Sequence, residues 1–183
     1  NDEVLALGSM VERALAEAVE ALRSRDLETA RRIIAGDREV NAKRFYIEGE
    51  VLALIATQQP MASDLRVLAA VLETATELER IGDYAKGISR ISEMIGSTPL
   101  IKPLVDIPRM SAKALDMLHR ALDAFVRQDV EMARAIPKED DEVDRVIREP
   151  ETLSSHVSCL SHRLSSCIVQ VRGKSGHKAH LFR

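Results

Sequence analysis

Residues 53–91 read ALIATQQPMASDLRVLAAVLETATELERIGDYAKGISRI, and their folding fixes the architecture around them. The break falls at TQQPMASDLR. Pro60 disfavours helix at Gln59, and Ser63 is placed to cap the next helix. From about Asp64 to Ile95 apolar residues recur at helical spacing with no proline between them. A comparable run precedes the break. Two long helices joined by so short a turn predict an antiparallel hairpin reversing at Gln58 to Ser63.

Working outward, residues 4–24 place Val4, Leu7, Val11, Leu15, Ala18 and Leu22 on one helical stripe. Asp26 then reads as an N-cap, with Glu28 in the first turn of a second helix. That helix meets no proline until Pro60. Gly36 and Gly49 lie inside it, each costing about 1 kcal/mol without stopping it. Downstream, GSTPLIKP (96–103) ends the third helix. A fourth is expected over about Asp106 to Arg127, and a fifth from near Asp129 that Pro150 ends. Three consecutive helices with short turns predict a three-helix bundle.

Composition agrees with an all-α chain. Of 183 residues 45% are apolar but only 3% aromatic, and there is no Trp. A chain this long buries roughly 70% of its unfolded surface, enough for a real core. The formal charge of −3, without a dense basic block before the tail, argues against a generic nucleic-acid binder. The first residues, NDEVLALGSMVERAL, are acidic and amphipathic, unlike a signal peptide. The longest apolar run, VLALIA, is too short to span a bilayer. Cys159 and Cys167 do not make a disulfide framework, so a reducing cytoplasm is the expected location.

The chain also repeats itself. AVEALRSRDLETARRIIAGDREVN (18–41) aligns without gaps on ALDAFVRQDVEMARAIPKEDDEVD (121–144). Asp26 meets Asp129, Ala30 meets Ala133, Ile33 meets Ile136, Asp37 meets Asp140 and Val40 meets Val143. Helical periodicity alone rarely aligns so many polar identities, so a tandem duplication is expected. The expected division is a first bundle over 1–98, two helices of a second over 106–150, and a divergent tail over 151–183. After Glu151 no acidic residue occurs, while four of five His and both Cys do.

Within the quoted stretch, Glu79 and Asp83 stand one helical turn apart. Like charges at this spacing cost a few tenths of a kcal/mol. Neither has a Lys or Arg four residues away. In the hairpin, residues equally far from Pro60 share a level, so Asp37 faces Asp83 and Asn41 faces Glu79. Four oxygen-bearing side chains then meet on two helices, a donor set suited to Mg, Mn or Fe, with Zn also accommodated. The same spacing is met by a solvated strip opposite Ile81, Ala85 and Ile88, with Arg44 pairing to Glu79 or Asp83.

The QQPMASDLR turn, LERIGDYA and RDLETARRIIAGDREVN together resemble the PhoU family of phosphate-signalling regulators, over about residues 4–148. The resemblance implies tandem three-helix bundles, here with the second incomplete or divergent. It implies a non-enzymatic, cytoplasmic regulator that restrains phosphate uptake and the phosphate-starvation response. Its expected partners are the ATPase of the phosphate ABC transporter and a phosphate-sensing histidine kinase, with homodimer formation also expected. It further implies a divalent or trivalent metal ion (Fe, Mn, Mg or Zn) bound through E/D-x-x-x-D pairs. On matching positions these are Glu79 with Asp83, Asp37 with Asn41, and Asp140 with Asp144. The chain departs from the family at Gly87, where an Asn is usual, and it has no second E-R-x-x-D helix.

Other constellations carry less. His156, Cys159, His162 and Cys167 are zinc-type ligands without finger spacing. His119 stands without an evident partner. Asp64 to Arg66 sits at a helix start, where capping and partner contact are equal readings. No phosphate-binding loop or nucleophile elbow occurs. A ferritin-like di-metal enzyme needs Glu-x-x-His pairs, and none is present. A metal-free helical scaffold is the other rival.

Overall fold

A computed structural model of the chain describes residues 2–98 and 104–136. Four helices lie within them: α1 (Asp2–Ser24), α2 (Leu27–Gln58), α3 (Ala62–Ile95) and α4 (Asp106–Arg127). A fifth, α5, begins at residue 130 and is described to 136. All regular structure among the described residues is helical, as composition implies. None of these helices is long and apolar enough to cross a membrane.

The expected hairpin forms. α2 ends at Gln58, and Gln59 takes a left-handed conformation (φ 45°, ψ 58°) that turns the chain towards Pro60. The start of α3 differs from expectation. Met61 is the N-cap and offers no side-chain hydrogen bond, so Ser63 lies inside the first turn and caps nothing. Backbone bonds close that turn instead, with Asp64 N–H donating to Met61 O at 2.9 Å.

α1, α2 and α3 pack on one another as the expected bundle, and α4 lies against α1. Leu7, Leu68 and Leu78 are among the fully buried side chains. Each such burial is worth about 1.5–3 kcal/mol. The register of the hairpin is visible in its contacts. Gly82 of α3 approaches Val40 of α2 so closely that an added Cβ would stand 3.0 Å from Val40 Cγ1. Further along the hairpin, Arg31 pairs with Glu93 at 3.0 Å.

The duplication is written into the backbone. Arg25 (φ 60°) and Gln128 (φ 54°) are both left-handed residues immediately before an aspartate. Asp26 Oδ1 accepts from Thr29 N–H at 3.0 Å, and Asp129 Oδ1 accepts from Met132 N–H at 3.0 Å. Asp26 N–H donates to Ala21 O, and Asp129 N–H to Ala124 O. Ala30 and Ala133 are each fully buried. Aligned positions therefore adopt the same corner.

The first bundle ends at Gly96, whose φ of 59° and ψ of −134° suit glycine. α4 and the start of α5 share one continuous core with that bundle through α1. Gly8 makes the junction close: a Cβ there would meet Leu122 Cδ1 at 2.5 Å. His119 is not alone, as its Nδ1 lies 3.4 Å from Glu12 Oε1 on α1. The 150/151 division and the histidines and cysteines of 151–183 lie outside the described residues.

Candidate metal site on the α2–α3 hairpin

The strip is built by two helices whose inward faces are fixed by packing. On α3, Ile81, Ala85 and Ile88 are buried, which turns Asp83 outward and leaves Glu79 half-buried. On α2, Val40 is buried beside Asp37, and Asp37 is itself only 8% exposed. An anion so placed requires compensation.

Lys86 supplies it. Its Nζ donates to Asp37 Oδ2 at 2.5 Å and lies 3.6 Å from Asp83 Oδ1. One ammonium therefore reaches both aspartates. Asn41 joins from one turn along α2, its Nδ2 donating to Asp37 O at 3.0 Å and to Asp37 Oδ2 at 3.2 Å. The hydrogen bond to Asp37 raises the Lys86 pKa and keeps the ammonium charged.

Glu79 receives no such partner among the described residues. Its pKa is raised, first by partial burial and then by the neighbouring Asp83 charge; Arg44 and Lys86 pull the other way. The Arg44 pair expected for Glu79 or Asp83 does not form. Arg44 bonds Glu48 at 3.1 Å instead, and its guanidinium stacks 4.4 Å from the Phe45 ring centre.

Two further features went unread in the sequence. Lys86 sits three residues after Asp83, and a search at four-residue spacing passes over it. Glu77, 4% exposed, is held by Arg80 Nη1 at 3.2 Å and 3.3 Å. The i, i+3 spacing of both pairs was the available signal. Beside Asp37 a groove of about 280 Å³ opens between α1 and α2, with Arg13, Arg32, Gly36 and Asp37 among its lining.

The donor set is all oxygen, which suits a hard cation. Asp37 Oδ1 is buried without a hydrogen-bond partner, an acceptor that a cation would satisfy. However, no three His, Cys, Asp or Glu side chains among the described residues group closely enough to hold a metal ion. Asp37, Asn41, Glu79 and Asp83 therefore match a hard cation in donor chemistry but are not gathered around one point in this arrangement. Asp140 and Asp144 lie outside the described residues.

The PhoU domain family model matches residues 4–92 and 107–168, so the match continues past Pro150 into the segment expected to diverge. The phosphate-specific transport system accessory protein PhoU of Serratia marcescens is 40% identical over 143 residues, 78% of this chain and 59% of that protein. The protein of the same description from Escherichia coli (strain K12) is 38% identical over the same shares. The chain thus spans about three-fifths of the length of these relatives. The crystal structure of PhoU from Pseudomonas aeruginosa superposes with a TM-score of 0.83 at 25% identity, covering 94% of this chain and 95% of that one.

Proposed function

The chain belongs to the PhoU family, and from that premise we propose that it is a non-catalytic regulator of phosphate uptake and of the phosphate-starvation response. The observation that carries this is its 40% identity, through 78% of its length, to an accessory protein of a phosphate-specific transport system. In this reading it acts in the cytoplasm, as a homodimer. Its bundle surfaces contact the ATPase of the phosphate ABC transporter and the phosphate-sensing histidine kinase. A bacterium lacking its own PhoU protein tests it. Expression of this chain should lower phosphate uptake and starvation-gene output in phosphate-rich medium; unchanged uptake and output would overturn the reading.

The same reading includes a metal ion, Fe, Mn, Mg or Zn, held by Glu79, Asp83 and Asp37 with Asn41. Asp140 and Asp144 are the corresponding pair of the repeat. The ion would supply positive charge to an acidic strip and a coordination point for a partner. Ligand bound only by the folded state adds about 2.7 kcal/mol at a hundredfold excess over its Kd. The thermal midpoint should rise with Mn, Fe or Zn in the wild type and not in Glu79→Gln/Asp83→Asn. No rise in the wild type, or an equal one in the double variant, would favour the second reading, a helical scaffold without metal. That second reading is favoured by Lys86, which already pairs with Asp37 and Asp83.

A further inference from the structure

We propose that Lys86 is an internal counter-ion competing with metal for the Asp37 and Asp83 carboxylates, so that a metal binds this strip only as the lysine swings out. The inference rests on the metal-binding reading above and adds how that site is controlled.

The ammonium is the one cation of the described residues paired with both aspartates, and it joins α2 to α3. It occupies Asp37 Oδ2, while Asp37 Oδ1 stays buried and without a hydrogen-bond partner. Asp37 is 8% exposed, so this acceptor is cut off from bulk water. Asn41 spends only its amide N–H groups on Asp37, which leaves its carbonyl oxygen available as a ligand.

Charge favours the exchange. Three carboxylates, Asp37, Glu79 and Asp83, face one ammonium and retain two negative charges, the amount a divalent ion removes. In the present arrangement no three acidic, His or Cys side chains among the described residues group closely enough to hold a metal, so the carboxylates have to draw together as the lysine leaves. The lysine can move: its stem is flexible, its side chain is 23% exposed, and at the adjacent Gly87 an added Cβ would meet nothing within 4 Å. Once displaced, the ammonium faces solvent on α3, so the bundle surface gains a mobile positive charge when metal is loaded.

Calorimetric titration of the whole chain with Mn(II) tests this in wild type, Lys86→Met and Lys86→Gln. Both variants should bind about tenfold tighter or more, since a charge-assisted hydrogen bond no longer has to be broken. Equal affinity in all three would overturn the competition and leave the metal reading standing. No binding in any of them would overturn both. Binding by the variants alone would support the competition and remove metal from the wild type. Where the variants fail to fold, the wild type supplies the readout. At Mn(II) concentrations that saturate it by calorimetry, acylation of Lys86 followed by mass spectrometry should accelerate several-fold. An unchanged rate would overturn the proposal.

Discussion

At the scale of single residues, the carboxylates of the hairpin differ because their surroundings do. Asp37 is buried and held by Lys86, whereas Glu79 is half-buried beside Asp83 with no ion pair of its own among the described residues. A raised carboxyl pKa means that folding favours the protonated form. The contribution of Glu79 is therefore fully present below its ordinary value of 4.5 and is lost as pH rises through the folded-state value. Glu79→Gln should accordingly stabilise the metal-free protein at pH 7 by about 0.2–0.5 kcal/mol, the worth of a like-charge pair one turn apart. The gain should vanish below pH 4.5. Chemical denaturation in a chelating buffer at both pH values checks it, and a gain persisting in acid would show that charge is not its source. Lys86 went unread for a reason of the same scale: a three-residue spacing pairs as well as a four-residue one, and its other partner, Asp37, is distant in sequence.

At the scale of elements, the two corners built by Asp26 and Asp129 show how a duplicated sequence enforces duplicated geometry. Each aspartate satisfies an amide three residues on that the new helix leaves unpaired. Asp26 also accepts from the Thr29 hydroxyl at 2.7 Å, and the Thr29 bonds lower its pKa. A lowered carboxyl pKa stabilises the fold above the ordinary value of 3.8, and the benefit fades as pH falls through the folded-state value. Asp26→Ala should lower the thermal midpoint at neutral pH, and Asp26→Asn should lower it less. The Ala deficit should shrink in acid as the wild-type carboxylate protonates, and scans across pH measure this. The Asp26 cap was legible in the sequence, where an acidic residue precedes a periodic run. The Ser63 cap was misread: Met61 took the position, because α3 begins two residues earlier and its first turn is closed by backbone bonds.

At the scale of the whole molecule, α1 is the shared wall between the first bundle and α4. Val4, Leu7, Val11, Leu15, Ala18 and Leu22 form the stripe the sequence announces, and all are buried. Gly8 and Ala21 are buried as well, beyond that stripe. At Gly8 the small residue admits Leu122 of α4. Gly8→Val should destabilise the chain by about 1–3 kcal/mol, the usual effect of overpacking. Hydrogen exchange should show the loss concentrated in α4, with α3 amides keeping their protection. Uniform loss across α1 to α4 would mean that the junction is not separable from the bundle.

Sequence alone determined the helices, the hairpin at Pro60 and the repeat. Each comes from rules that need no tertiary contact: helical spacing, a proline's restriction of its neighbour, and a gapless self-alignment. Tertiary structure alone decided that Asp37 would be buried, that Lys86 would lie between Asp37 and Asp83, that Arg44 would turn to Glu48, and that α4 would join the core through Gly8. Those outcomes depend on which faces close against each other, and a side chain's choice among partners is settled only when packing fixes the distance to every one of them.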